Sequence, residues 1–318
     1  MTANQHTATV GFIGLGDQGA PMAQAIGSSF GLHVWARRPQ SLDVLARTQH
    51  TVHHSPARLA AAVDILELCL RDDRDIWEIL GTSGVEDALR PGLIVVNHGT
   101  GDPGENREIA EHLAGKRVAY LDAPVSGGGA GARARTLTTM AGGDRTAYQR
   151  CEPVFATFSR TVAYMGPSGS GQVTKLLNNA MTMSNLDNAV DLIRLVPRLG
   201  MNLQAVIDVI DVSSGGSAIL RALRSDVTPE IAPHIQGLMR KDIEHFADAI
   251  RACGLDPQPL HDRGLAGASG LAEAVGLLAA AITGGSFRSG LRRGRKIPGR
   301  SLVSDRYSSA PRSRSDVR

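Results

Sequence analysis

Near its N-terminus the chain carries the stretch Gly14-Leu15-Gly16-Asp17-Gln18-Gly19, in which three glycines follow the spacing Gly-x-Gly-x-x-Gly. An apolar run over residues 10–13 leads into it, and a helical pattern over residues 20–28 follows. In such a strand–turn–helix unit the glycines permit a tight turn, close approach of a pyrophosphate to the backbone, and helix–strand packing. Free N–H groups at the helix N-terminus bind phosphate. The stretch predicts a dinucleotide site rather than a merely structural turn, with contacts from Gly14, Leu15, Gly16, Gln18 and Gly19.

Apolar runs and helical patterns alternate over the first half of the chain, with further strands predicted at residues 32–36, 63–70, 93–97, 117–121 and 137–141. This alternation favours a mostly parallel sheet with right-handed crossovers. After Gly171 the patterns are helical only, at residues 172–199, 203–212, 235–253 and 255–281. The predicted fold is therefore α/β, with a Rossmann-type NAD(P)-binding domain at 1–166, a helical domain at 167–286 and a tail at 287–318.

The positive charge of the chain is concentrated at its C-terminal end. The net charge is +3, but residues 288–318 alone contain ten Lys or Arg and two Asp, so the rest of the chain is acidic. A basic tail rich in Ser, Arg and Gly is typical of disordered segments. We therefore expect a disordered tail, and we do not expect nucleic-acid binding to be the function.

Composition excludes several other classes of protein. The content of 42% hydrophobic and 20% charged residues is that of an ordinary globular protein. The three cysteines, Cys69, Cys151 and Cys253, are far apart and have no metal-ligand spacing, which favours a reduced, cytoplasmic setting without a bound metal. No apolar run reaches 18 residues, so no membrane span is predicted.

The end of the second predicted strand bears on which dinucleotide binds. An NAD site usually places Asp or Glu there, on the ribose 2′-hydroxyl. This strand instead ends Trp35-Ala36-Arg37-Arg38-Pro39. Guanidinium groups bind phosphate bidentately. We therefore interpret Arg37 and Arg38 as a site for the 2′-phosphate of NADP(H) rather than as two solvated surface arginines. We expect NADP(H) to be preferred, with NAD(H) as the alternative.

Four blocks of sequence resemble the β-hydroxyacid dehydrogenases, the group of 3-hydroxyisobutyrate dehydrogenase and the tartronate-semialdehyde and glyoxylate reductases. The resemblance extends from about residue 10 to about residue 281. The blocks are Gly11-Phe12-Ile13-Gly14-Leu15-Gly16 continuing to Pro21-Met22-Ala23, Asp122-Ala123-Pro124-Val125-Ser126-Gly127-Gly128, Gly169-Ser170-Gly171-Gln172-Val173-Thr174-Lys175-Leu176-Leu177-Asn178-Asn179, and Lys241-Asp242.

The resemblance implies which residues act. It makes Lys175 the catalytic lysine, a group that can protonate a developing alkoxide or accept the proton in reverse. It implies that Asn179, one helical turn later, binds substrate and orients the lysine, while Asn178 is left open as a helix-packing amide. It also implies that Ser126, Gly127 and Gly128 hold a substrate carboxylate. On the cofactor side it implies contacts from Leu70, Thr100 and Lys241.

Departures from the family pattern leave the substrate open. Gln18 stands where Met is usual, Asn97-His98-Gly99-Thr100 replaces Asp-x-Ser-Thr, and Leu68-Cys69-Leu70-Arg71 replaces Met-Leu-Pro. Arg135 occupies a position that is usually small, either close to the substrate pocket or simply exposed. These changes alter the expected substrate more than the expected reaction class.

The leading prediction is an NADP(H)-dependent oxidoreductase that interconverts a small 3-hydroxy acid and its semialdehyde, or reduces a related carbonyl. An imine reductase-like enzyme is the first alternative, although such enzymes typically carry Asp or Tyr at the position of Lys175. A catalytically silent NADP-binding protein is the second alternative. The resemblance also implies a homodimer or homotetramer, in which the apolar helix from Gln172 is buried between subunits.

Overall fold

A nine-stranded sheet forms the N-terminal part of the computed structural model, which describes residues 8–283. The strands are β1 (Thr9–Ile13), β2 (Gly31–Trp35), β3 (Thr51–Val52), β4 (Ile65–Leu68), β5 (Ile94–Asn97), β6 (Ala119–Asp122), β7 (Val125–Ser126), β8 (Leu137–Gly143) and β9 (Ser159–Gly166). Six of them are parallel in the order β3-β2-β1-β4-β5-β6. β8 then pairs antiparallel with β6 and β7, and parallel with β9.

Helices cover both faces of this sheet. They are α1 (Gly19–Gly27), a 3-10 helix (Pro39–Leu45), α2 (Pro56–Ala62), α3 (Asp73–Leu80), α4 (Val85–Ala88), α5 (Pro103–Ala114), α6 (Gly128–Arg133) and α7 (Arg145–Phe155). Two buried clusters result, one centred on Phe12, Met22 and Phe155 and the other on Leu66 and Ile109. The carboxyl ends of the parallel strands therefore open onto one edge of a rigid core, where α/β proteins bind ligands.

The remaining helices follow the sheet without further strands among the described residues. They are α8 (Ser170–Arg198), α9 (Leu203–Asp211), α10 (Ala218–Ser225), α11 (Ala232–Ala252) and α12 (Gln258–Thr283). Helix α12 lies close against α8, since a Cβ on Gly267 would come within 2.0 Å of the Met183 carbonyl oxygen. By length and hydropathy Gln258–Ala281 is a candidate membrane span. Its Leu271, Val275 and Leu278 are buried with α8 in a protein core, which accounts for its apolar composition.

The predicted fold class is confirmed, and each predicted strand and helix has a counterpart in the structure. Pro197 lies in the last turn of α8, which ends at Arg198. β3, β7, β9 and α10 were not predicted from the sequence. β3 and β7 have only two residues each, and β9 alternates little because Arg160 and Thr161 are both exposed. The basic tail predicted at 287–318 lies outside the described residues.

Candidate active site

The glycine-rich loop between β1 and α1 has the geometry that the sequence predicts. Gly14 has φ +105°, and a Cβ there would lie 2.1 Å from the Cys69 carbonyl oxygen. A Cβ on Gly19 would lie 1.9 Å from the Gly14 carbonyl oxygen. Gly16 differs, because a Cβ there would meet no atom within 4 Å. The first and third glycines are required by the protein's own packing, whereas the second faces open space where a ligand's phosphates fit.

The N-terminus of α1 is available to such a ligand. Gln18 stands at the N-cap position and makes no capping hydrogen bond through its side chain. The first N–H groups of a helix have no partner within the helix, and they attract anions. The loop and the helix end together fit a dinucleotide pyrophosphate.

A cavity of about 540 Å³ extends from this loop to the end of β2. Its lining includes Leu15, Leu70 and both predicted arginines, Arg37 and Arg38. The Arg37 guanidinium lies 3.2 Å from the Glu78 carboxylate, and both side chains are largely exposed. Exposed pairs of this kind are weak and exchange partners readily. Two exposed arginines therefore stand at this cavity, where they could bind an anionic group of a ligand.

Ser41 and Arg71 also line this cavity, although neither was predicted as a contact from the sequence. Ser41 lies in the 3-10 helix that begins directly after Arg38. The sequence signal that could have indicated Ser41 is its position a few residues after the arginine pair. Arg71 is paired with Asp72 at 3.1 Å.

The buried junction between β6 and the start of α8 places Lys175. Asp122, at the end of β6, is completely buried and accepts hydrogen bonds from the N–H groups of Gly169 (2.8 Å) and Gln172 (2.9 Å). Burial raises the pKa of Asp122 to about 6, while the N–H donors act in the opposite direction. A Cβ on Gly171 would lie 2.2 Å from the Asp122 carbonyl oxygen, so helix and strand are in direct contact.

Gln172 ties the same helix to the loop after β5. Its amide donates to the Gly99 carbonyl (2.8 Å), and its side-chain oxygen accepts from the Gly101 N–H (3.0 Å). The predicted cofactor contact Thr100 lies between these two anchored residues. The first turn of α8 is thus held by a buried carboxylate and a two-point amide contact, which fixes the position of Lys175 one turn later.

Lys175 is half-buried, and its surroundings lower its basicity. Burial holds the pKa of its ammonium group below the ordinary lysine value, and the charge of Asp242 on α11 opposes that shift. The Asn179 side chain donates to the Asp242 carboxylate at 2.7 Å. Burial raises the pKa of Asp242, while Lys241 and Lys175 act in the opposite direction. The structure thus adds Asp242 to the neighbourhood of Lys175 and Asn179.

The predicted carboxylate loop lies beside α8. Ser126 is the last residue of β7, and the next two residues, Gly127 and Gly128, have φ of +129° and +61°. Asn178 is the nearer amide: its Nδ2 lies 3.5 Å from Ser126 Oγ and donates to Asn179 Oδ1 at 3.2 Å. The structure therefore gives Asn178, left open by the sequence, a contact with this loop, while Asn179 is bonded to Asp242.

Lys241 connects α11 to the two loops that follow β4 and β5. Its ammonium group donates to the carbonyl oxygens of Arg71 (3.2 Å) and Thr100 (3.4 Å). These residues follow β4 and β5, so one cation draws two strand ends toward the helical part. The same ammonium group lies 4.0 Å from the Asp242 carboxylate.

Two buried side chains, Glu67 and His98, hold the loop from Asn97 to Thr100, which departs from the family pattern. His98 Nδ1 lies 2.8 Å from the Ala123 carbonyl oxygen, to which it can only donate, and His98 Nε2 contacts Glu67. Both side chains are completely buried. The Glu67 and His98 pair joins three strand ends, and neither residue was selected from the sequence as a functional group.

Arg135, the other departure, is exposed at the end of α6 with φ +55°. A left-handed backbone of this kind favours glycine, which has no Cβ. Among residues 8–283, His, Cys, Asp and Glu form no group of three that is placed to hold a metal.

Comparisons with known proteins agree with this geometry. The sequence pattern of the NAD-binding domain of 6-phosphogluconate dehydrogenase matches residues 9–166. A second sequence pattern, described as the NAD-binding of NADP-dependent 3-hydroxyisobutyrate dehydrogenase, matches residues 169–261. A 2-(hydroxymethyl)glutarate dehydrogenase of Eubacterium barkeri is 30% identical over 216 residues, 67% of this chain and 71% of that protein.

Two further proteins extend the comparison. An NAD-dependent L-serine dehydrogenase of Pseudomonas aeruginosa is 31% identical over 210 residues, 65% of this chain and 70% of that protein. The crystal structure of 3-hydroxyisobutyrate dehydrogenase from Salmonella typhimurium matches with a TM-score of 0.70 at 26% identity, covering 81% of this chain and 92% of that chain. The similarity therefore includes both the sheet and the helices that carry Lys175 and Lys241.

Proposed function

The chain belongs to the β-hydroxyacid dehydrogenase family and is an NAD(P)-dependent oxidoreductase acting on CH–OH groups; on this premise we propose that it interconverts a small 3-hydroxy acid and its semialdehyde with NADP(H). Lys175 is the general acid and base of the proposed reaction. The observation that supports the proposal is a half-buried lysine with a lowered pKa on α8, the helix whose Asn178 contacts Ser126 and whose Gln172 is hydrogen-bonded to the loop that contains Thr100.

Each residue has a defined task in the reductive direction. Ser126 and the N–H groups after it hold the substrate carboxylate, and Asn178 supports Ser126 from α8. Lys175 donates its proton to the carbonyl oxygen as that oxygen becomes an alcohol, and it takes the proton back in oxidation. When bound, the nicotinamide supplies or accepts the hydride. A lowered lysine pKa suits both directions, because the group then exchanges its proton closer to neutral pH.

The Asn179 and Asp242 pair orients the lysine in this proposal. Asp242 is drawn toward α8 by Asn179, so its charge stays near Lys175 without a direct ion pair between them. The carboxylate favours the protonated lysine, whereas burial disfavours it. The balance of the two effects keeps Lys175 able to act as acid in one direction and as base in the other.

Preference for NADP(H) rests on the rim of the 540 Å³ cavity. Arg37 and Arg38 follow β2 where NAD sites usually carry an acid, and Ser41 adds a hydroxyl. Arg37 is engaged only in an exposed contact with Glu78, which a phosphate can displace. The cavity thus offers two cations to the 2′-phosphate.

The two alternatives give different results in one experiment. A panel of small aldehydes, semialdehydes and cyclic imines is offered with NADPH, and consumption is followed by NADPH absorbance. We expect turnover of semialdehydes that carry a carboxylate, and little turnover of neutral aldehydes of equal size. Turnover of imines alone would favour an imine reductase, and NADPH binding without any turnover would favour the silent protein.

A homodimer or homotetramer and a cytoplasmic location complete the proposal. Apolar side chains on the outer surface of α8 support self-association, with Leu177 and Met181 exposed to 44% and 57%. Leu177 and Met181 follow Lys175 on the same helix. Sedimentation of the full chain tests the assembly state.

A further inference from the structure

An acidic residue lies within the glycine-rich loop. Asp17 is two residues before the start of α1, in the turn that fits the dinucleotide phosphates. Its side chain is 75% exposed, and Asp17 Oδ1 lies 2.7 Å from the Arg133 guanidinium. A carboxylate at a helix N-terminus is stabilised by the helix dipole while no other anion is present. Beside a bound pyrophosphate the same charge is repulsive, so the loop contains a charge that opposes its own ligand.

Arg133 is held next to this carboxylate by the packing of α6 on the loop. A Cβ on Gly129 would lie 1.9 Å from Asp17 Oδ2, so the α6 backbone passes directly over the Asp17 side chain. Arg133 is the last residue of the same short helix. Helix α6 begins at the proposed carboxylate loop, so the ion pair spans from the phosphate loop to the element that follows Gly127.

We propose that Arg133 is an affinity-determining residue for the dinucleotide, because it offsets the charge of Asp17 beside the cofactor phosphates. The inference rests on the proposed function only in requiring a bound dinucleotide. Asp17 and Arg133 act as one unit: removing the cation alone leaves an unshielded carboxylate in the phosphate loop, and removing both charges restores a neutral loop. The pyrophosphate is common to NADH and NADPH, so the effect is the same for both.

Cofactor binding without substrate tests this directly. The Kd of NADPH and of NADH is measured from reduced nicotinamide fluorescence for the full chain and for R133M, D17N and D17N/R133M. We expect R133M to raise both Kd values about threefold to tenfold, the scale of one partly screened charge contact. D17N leaves them equal or lower, and the double variant returns them to within about twofold of the wild type.

The matched control is R160M, which removes an exposed arginine from β9, on the opposite side of β6 from β1 in the sheet. It should leave both Kd values within about twofold. Because Asp17 and Arg133 are exposed, the melting temperature of each variant should stay within about 2 °C of the wild type. The expected weakening by R133M should also fade at about 1 M salt, where the Debye length is about 3 Å.

Three results would overturn the inference. R133M that weakens binding equally with and without D17N would mean that Arg133 acts on the cofactor directly. R133M that weakens NADPH alone would assign Arg133 to the 2′-phosphate. Unchanged Kd values would mean that Asp17 and Arg133 form a solvent-exposed ion pair that has no effect on cofactor affinity. All three are binding results, so they stay readable even when every substrate in the turnover panel fails.

Discussion

The cofactor cavity and the junction at the start of α8 differ in what holds them together. The charged groups around the cavity, such as the Arg37 and Glu78 pair, are exposed and therefore accessible to a ligand. At the junction Asp122 is completely buried and its partners are N–H groups of the protein itself. From this difference we expect that the proposed binding residues can be exchanged with little effect on folding, whereas Asp122, which anchors the start of α8, is part of the folded core.

The largest expected effect breaks the junction. D122A leaves two buried N–H donors at the start of α8 without an acceptor, and each such loss costs about 1–3 kcal/mol. We expect the free energy of unfolding to fall by about 2–4 kcal/mol, measured by urea denaturation. D43A is the matched control at an exposed position and should change it by less than about 0.5 kcal/mol. An equally small change for D122A would contradict the difference between the two regions.

Removing the charges of the cavity should change cofactor choice and leave stability intact. For R37A/R38A we expect kcat/KM with NADPH to fall about tenfold or more, while kcat/KM with NADH changes by less than about threefold. The urea midpoint should not move, since both side chains are exposed. A wild-type enzyme that prefers NADH, or a variant that loses both cofactors equally, would refute the assignment of the arginines.

The pH dependence of turnover tests the electrostatics of the junction. Burial lowers the pKa of Lys175, so its proton is lost at a lower pH than that of a free lysine. Reduction, which needs the proton, should decline as pH rises through this lowered pKa, and oxidation should increase over the same range. Initial rates with saturating substrates from pH 6 to 11 give both limbs of the pH profile, the decline of reduction and the increase of oxidation. Limbs centred at or above the ordinary lysine value would argue against a buried acid.

The smallest expected effect concerns a residue outside both regions. Arg135 has φ +55°, a left-handed conformation that costs a non-glycine residue about 1 kcal/mol. R135G should therefore raise the free energy of unfolding by up to about 1 kcal/mol. R160G in β9 is the control and should lower it, because glycine weakens a strand. A loss of stability in R135G would show that the arginine side chain makes a stabilising contact worth more than the cost of its left-handed backbone.

The sequence predicted what is local and missed what is long-range. The glycine spacing, Arg37 and Arg38 after β2, and the helix that contains Lys175 all depend on neighbouring residues. The contact between Asn179 and Asp242 joins residues 63 apart, and that between Gln172 and Gly99 joins residues 73 apart. Such pairs are set by how α8 and α11 meet the strand ends, which no local pattern records. The loop from Asn97 to Thr100 was recognised, but its support by Glu67 and His98 depends on the order of strands in the sheet.

The central claim is that Lys175 transfers the proton, and K175A tests it most directly. With NADPH and a carboxylate-bearing semialdehyde that the wild type turns over, we expect kcat to fall by about 10² or more, while the Kd of NADPH stays within about threefold. The control is K116A, which removes a lysine paired with Glu86 on the surface and should retain full turnover. Near-normal kcat in K175A with cofactor still bound would contradict the proposed mechanism.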